Sequence, residues 1–563
     1  MCIGGKVVLV TAVLERRNLL RSVGLALLCI MVGALFMNGA PTGGAFSWPD
    51  SPRHALNGAF VLDLIKTAPL NDPLGYAQNY YAQYPALTIG FYPPLFSFQL
   101  AMFYAVLGVS QQTAVIALFV SYCLLVWGTF FLARLWLRDA LAFGIAVLFA
   151  FLPEVSYWGR QVMLEIPAYA FLVWSVYFFV RHIREERIGF LYLSVFLLIL
   201  AMYTKLSVAF VAVPYLISLL HARGASLFRD RHSYVIAALS IVGIAPLVFL
   251  TLKLGQANIQ SAAGIADSSV SRLSLAGWTW YAEKLPSQLG WPAFVAVVVA
   301  IAIAMAKREW RDQLRRDHFL WISWFVVGYI FFASIDLKET RHSLFLLLPL
   351  VMILGLACSQ LSRQRAWLGE MIIAVIALAT LFTTVTARHV HFVDGYRDVV
   401  RFVSEVAPPN SNVLFSGYRD GSFIFEMRAD ADRPDMSVIR ADKLLLRIAV
   451  RRGLGVEQKN YTEAEIAALI DKLGVRYVVA QPDFWTDLEQ MRRLQNVLHG
   501  PQFAEVKRFP ITANYPAQEN ELVVFRNLGE VAKGPVNVLI ELPIIGSAVS
   551  GSVSKSMGAP AKP

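Results

Sequence analysis

The chain has 563 residues, of which 57% are hydrophobic and 16% charged, and its mean hydropathy is +0.54. An average soluble protein is nearer to about half apolar and about a quarter charged, so this composition excludes an ordinary soluble enzyme. A net charge of +11 would suit nucleic acid only if the basic residues clustered on one soluble face, and they fall instead between hydrophobic segments. Cys2, Cys29, Cys123 and Cys358 lie in or beside apolar stretches, with no disulfide or metal-ligand spacing.

Apolar runs of roughly 17 to 25 residues are long enough to cross a bilayer. In chain order the runs near that length are 19–37, 91–109, 113–135, 140–157, 166–180, 188–203, 206–220, 234–254, 289–306, 319–335, 343–361 and 367–387. The first is expected to remain as an uncleaved span, because hydrophobic segments continue after it and no small-residue cleavage site follows. Short cytoplasmic loops carry the excess of Lys and Arg. If 91–109 does not cross, the groups Arg16/Arg17/Arg21, Arg134/Arg138, Arg181/Arg184/Arg187, Arg223/Arg229/Arg231, Lys307/Arg308/Arg311/Arg315/Arg316 and Arg363/Arg365 all share one side. If it crosses, most of that charge is stranded outside. The run 91–109 is therefore expected to be an outer-face re-entrant or interfacial segment, leaving about eleven spans with the N-terminus cytoplasmic and the C-terminus outside.

After 388 the character changes. Residues 389–530 read as a small soluble α/β domain: 396–406 has helical apolar spacing and stops before Pro408 and Pro409, and Thr462 with Glu465 forms a capping box. Short β-like runs at 412–415, 477–480 and 521–525 complete the pattern. The tail 531–563, which ends in Gly, Ser, Pro and Ala, predicts no definite fold. The fold class expected is mainly α, a polytopic membrane domain over 1–388 with that α/β domain appended.

Ionisable residues at the outer ends of the spans need a partner or a task, because charge near hydrocarbon is costly. Asp50, in the segment Trp48 to His54, is placed either to act as a general base toward an acceptor or to cap the helix that follows. Tyr92 precedes Pro93 and Pro94, an ordinary helix start. Arg160 and Glu165 share the loop between two spans. Glu165 could orient a substrate, ligate a divalent ion or pair with Arg160. Lys205 sits in a hairpin with almost no loop to solvate it, and Arg341 and His342 stand at the start of a later span. Both cations suit phosphate, and both also suit a snorkelling anchor. His182, His221, His232 and His318 lack zinc spacing and read as structural, while the Trp and Tyr residues near span ends read as interfacial belts. No Gly-rich phosphate loop is present, and no cofactor is called for.

The order of these clusters resembles the GT-C-fold membrane glycosyltransferases of the protein O-mannosyltransferase and aminoarabinose (lipid A) transferase superfamily. The resemblance rests on the acidic first loop at Asp50, Tyr92-Pro93-Pro94-Leu95, the Arg160 to Pro167 loop with Glu165, Thr204-Lys205, and Arg341-His342 leading into Pro349, and it covers roughly 19–361. It implies a polyprenyl-phosphate-linked sugar as donor and inverting transfer to an extracytoplasmic lipid, glycan or protein acceptor. It implies catalytic roles for Asp50 and Glu165, a grip on the donor phosphate by Lys205 and Arg341, and substrate contacts by His54, Tyr92, Arg160 and His342. Ser51 follows Asp50 where several relatives carry a second carboxylate. Asp50 and Glu165 leave room for a divalent cation, although two separated carboxylates are not a ligand set. The expected location is a bacterial cytoplasmic membrane, with the bilayer as partner and no nucleic acid. A transporter or lipid-linked-sugar flippase is the main alternative, and it predicts charges distributed through span centres. A membrane-anchored binding or assembly protein is the third reading.

Overall fold

A computed structural model describes residues 3–40, 45–255, 259, 270–306, 319–365, 367–387, 389–430, 432–448, 452, 455–532, 536–542 and 547–553. The basic group expected at 307–316 and the end of the tail lie outside these residues, as do the side chains of Arg16 and Arg17.

The membrane part opens with α1 (Ile3–Met37), followed by three helices in the first long loop: α2 (Ser51–Thr67), α3 (Pro73–Gln83) and α4 (Leu95–Leu107). Then come α5 (Gln111–Ala133), α6 (Asp139–Phe151), the short α7 (Pro153–Trp158), α8 (Glu165–Glu185) and α9 (Ile188–Thr204). Helices Ala212–Arg223, Arg231–Leu254, Leu275–Leu289, Trp291–Ala306, Phe319–Ala333, Leu347–Gln364 and Leu368–Ala387 complete this part. Many large apolar residues face outward, among them Leu239, Ile241, Val242 and Phe249 on Arg231–Leu254. A surface of this kind is stable against lipid and unstable in water.

Among the described residues seven segments are long and apolar enough to cross a membrane, and the pair Leu275–Leu289 with Trp291–Ala306, bent by 118°, makes an eighth if taken as one span. The bend falls at Gly290, whose φ of 77° is left-handed backbone that glycine adopts without strain. The remaining three of the expected spans are represented by the shorter apolar helices α6, α9 and Phe319–Ala333. The run 91–109 folds as α4, an apolar helix of 13 residues. It packs on α2 and on α5.

In the C-terminal α/β part a five-stranded sheet has the spatial order Ser437–Arg440, Asn412–Ser416, Val475–Ala480, Glu521–Asn527, Phe503–Pro510. The first three strands are parallel and the last two antiparallel. Alternate side chains of a strand point to opposite faces. Val413, Phe415, Tyr477 and Val479 accordingly join the core shared with the membrane part, whereas Leu414, Val478 and Ala480 join a second core with Ile466, Ile470, Met491 and Leu494. The helix Tyr396–Val406 ends before the two prolines, and Thr462 and Glu465 make the capping box. The expected formless tail instead contains an antiparallel hairpin of Val536–Leu542 with Ser547–Val553. The Val, Leu and Ile of 536–542 give that run β-propensity which the tail's overall composition obscures.

Candidate active site

Four distant parts of the chain converge at one end of the membrane helices. Asp50 stands at the N-cap of α2, Glu165 opens α8, Lys205 follows α9, and Arg341 precedes the 3-10 turn His342–Leu346 that leads into Leu347–Gln364. Although Asp50 occupies a capping position, its side chain caps no amide. It faces Arg341 instead, with Oδ2 at 3.3 Å from Nη1. The Nε of Arg341 lies 3.8 Å from Oε1 of Glu165, and the same guanidinium is paired with Glu339. Lys205 Nζ approaches Oε1 of Glu165 to 2.6 Å.

The two carboxylates differ in access. The Glu165 side chain is 1% exposed and that of Asp50 26%. Oε2 of Glu165 is buried without a hydrogen-bond partner. Glu165 is thus enclosed between two cations, while Asp50 keeps an open side toward solvent. Burial opposes charge on Arg341, but the facing Glu165, Glu339 and Asp50 outweigh it, so its pKa is raised and it stays cationic.

Aromatic rings wall this cluster. Trp48 and Trp158 meet edge to face at 5.2 Å, and the Arg341 guanidinium lies 5.5 Å from the Trp48 ring and 6.0 Å from that of Trp158. A guanidinium against indole is favourable and holds its fork in a defined plane. His54, one turn along α2, packs against Tyr92 with ring centroids 4.6 Å apart. Burial lowers the His54 pKa to about 4 against the pull of Asp50 and Glu165, so the ring is neutral at pH 7. Burial, reinforced by Asp50, raises the Tyr92 pKa and keeps it a phenol. His342 Nε2 is 4.0 Å from Oε2 of Glu339.

Arg160 is committed elsewhere. Its Nε and Nη2 donate to the carbonyl and hydroxyl of Ser156, and Nη1 donates to the carbonyl of Asn38 at 2.8 Å, tying the end of α7 to the end of α1. It does not pair with Glu165, whose cationic partners are Lys205 and Arg341. Residues missed in the sequence are Trp48, Trp158 and Glu339. The tryptophans read as interfacial belts, and only the proximity of Trp48 to Asp50 in the chain hinted otherwise. Among the described residues no three His, Cys, Asp or Glu side chains are placed to share a metal ion.

Residues 92–249, which include Tyr92, Glu165 and Lys205, match the model of the dolichyl-phosphate-mannose-protein mannosyltransferase family. No curated protein matches the chain in sequence. Similar solved structures include ArnT from Cupriavidus metallidurans bound to undecaprenyl phosphate, with TM-score 0.59 and 12% identity over 90% of this chain and 99% of that one. The mycobacterial arabinofuranosyltransferase AftD gives a TM-score of 0.52 and 15% identity over 92% of this chain and 40% of AftD. The oligosaccharyltransferase of Archaeoglobus fulgidus gives 0.52 and 11% over 89% of this chain and 76% of its own. With these likenesses spanning nearly the whole chain, this multi-pass membrane protein has the GT-C fold of membrane glycosyltransferases.

Proposed function

We propose that the chain transfers a sugar from a polyprenyl-phosphate donor to an extracytoplasmic acceptor, with inversion at the anomeric carbon. The observation that carries this reading is the Asp50–Arg341–Glu165–Lys205 constellation, which sets one accessible carboxylate against two cations. The match to a mannosyltransferase family and the likeness to ArnT support the class of donor. The N-terminus is taken as cytoplasmic, and the site with its soluble domain as facing the other side.

In the reaction, an acceptor hydroxyl or amine attacks the anomeric carbon, and the new bond forms as the bond from that carbon to the phosphate oxygen breaks. Asp50 takes the acceptor's proton, a contribution typically of about 10²- to 10⁴-fold. The departing polyprenyl phosphate carries away the bonding electrons, and Arg341 and Lys205 hold the charge that develops on it. Enclosed Glu165 keeps both cations in place. A retaining route through a covalent intermediate would need a second carboxylate free to attack, and Glu165 is clamped by Lys205.

The test is transfer of radiolabelled sugar from a panel of polyprenyl-phosphate sugars by the purified protein in lipid, wild type beside Asp50→Asn. The expected result is one productive donor, inverted product, and a fall of about 10²- to 10⁴-fold in the folded variant. Retained configuration, or an Asp50→Asn protein as fast as wild type, would overturn the mechanism. Failure to bind any polyprenyl phosphate would turn the reading toward transport.

A further inference from the structure

The C-terminal domain meets the segment around Asp50 at Arg419-Asp420-Gly421, where the helix Asp420–Ala429 begins after the strand Asn412–Ser416. That strand is flanked by Ser437–Arg440 on one side and Val475–Ala480 on the other, so the chain reverses its direction of travel across the sheet there. The carboxyl ends of strands at such a switch point diverge and leave their turns free to reach another surface.

This helix start grips the segment on both sides of Asp50. Upstream, Nη1 of Arg419 donates to the carbonyl of Ser47 at 2.6 Å and to that of Phe46 at 3.2 Å. Arg419 is itself anchored by an ion pair with buried Glu519 and a hydrogen bond to the Tyr515 hydroxyl. Downstream, Asp420 accepts Nη2 of Arg53 at 3.1 Å, while Arg440 closes on the same carboxylate at 2.6 Å. Between these two grips, Gly421 lies so near Pro52 that a Cβ there would stand 3.0 Å from Pro52 Cγ. Nothing within α2 fixes the Asp50 side chain, which caps no amide. Its place opposite Arg341 is therefore set by the backbone from 46 to 53, and that backbone is seated on the soluble domain.

We infer that Arg419, Asp420 and Gly421 are positioning residues for Asp50, making the C-terminal domain part of the catalytic apparatus. The inference rests on the role proposed above for Asp50. Misplacing a reacting group by even about 1 Å can cost on the order of 100-fold in rate. Small displacements of the 46–53 segment thus move Asp50 while Lys205, held by Glu165 outside that segment, keeps its grip on the phosphate.

Two measurements test it on the full-length protein in lipid. First, hydrogen–deuterium exchange of the peptide covering 45–54 is compared between wild type, Arg419→Met and Arg419→Lys. Faster exchange in Arg419→Met, restored toward wild type by Lys, is expected; equal exchange in all three overturns the inference. Second, Gly421→Ala is assayed with the polyprenyl-phosphate sugar that the wild type consumes, alone and combined with Asp50→Asn. The expected result is kcat lower on the order of tenfold with donor KM changed far less, and no further loss in the Asp50→Asn background. A merely structural role would slow both backgrounds alike, and that outcome, or an unchanged kcat, overturns the inference. If Asp50→Asn alone is fully active, the assignment of Asp50 fails first, which the same data distinguish.

Discussion

Glu165 and Lys205 were each legible as outer-end charges, but their mutual contact was not, because 40 residues and two membrane helices separate them in the chain. In the structure they form a pair in which one member is almost fully enclosed. Removing one partner of a buried pair leaves the other uncompensated, at a cost of about 3–5 kcal/mol. Lys205→Met is thus expected to lower thermal stability in detergent sharply, and the double variant Glu165→Gln/Lys205→Met to recover part of the loss. A double variant no more stable than Lys205→Met would show that Glu165 relies chiefly on Arg341. His54 makes a pH-dependent contribution. Its folded pKa is about 4 against an ordinary 6.5, so the unfolded chain binds the proton first as pH falls. Stability from this group is complete above pH 6.5 and is lost progressively toward pH 4, to a limit of about 3 kcal/mol. The melting temperature of His54→Gln should therefore decline less steeply between pH 6.5 and 5 than that of wild type. Parallel curves would refute this. For Asp50 the sequence allowed a cap or a base, and the geometry removes the cap because the carboxylate turns away from the α2 amides toward Arg341. Arg160 shared the same loop and sidedness as Glu165, yet loop charge carries no information on where a long side chain turns, and the carbonyl of Asn38 claimed it.

At the level of elements, α2 and α4 decide where the site's outer wall stands. Gly58 of α2 faces α4 so closely that a Cβ would lie 2.5 Å from Leu100 Cβ and 3.0 Å from the Tyr104 ring. Gly58→Val should push the two helices apart, costing about 1–3 kcal/mol by overpacking, and should slow transfer by moving the first turn of α2. Wild-type melting and turnover in that variant would mean the contact yields without consequence. That 91–109 contains an apolar helix was readable from its run of hydrophobic residues. The bend between Leu275–Leu289 and Trp291–Ala306 was not, because Gly290 is one glycine among 36 and its left-handed backbone follows from packing.

At the scale of the whole molecule, the C-terminal α/β part and the helical part share one buried core, and ion pairs such as Asp63 with Arg428 and Arg53 with Asp420 cross between them. The proposed orientation predicts that a membrane-impermeant maleimide added to intact cells labels Glu463→Cys, on an exposed surface of the soluble domain, and spares Arg187→Cys, exposed between α8 and α9. The opposite pattern would invert the topology and place the site on the cytoplasmic side. Composition and charge sidedness alone determined a polytopic membrane protein with an appended α/β domain, since hydrophobic run length and loop charge are summed over the chain and tolerate local error. They also drew attention to Asp50, Glu165, Lys205 and Arg341, because ionisable groups are scarce on that side. Only the tertiary structure decided that these four meet and that Trp48 and Trp158 enclose Arg341. It alone showed Arg419 and Asp420, at the start of a helix, reaching back some 370 residues to Ser47 and Arg53 beside Asp50. Contacts so remote depend on how packed helices bring distant loops together, which no local pattern of residues encodes.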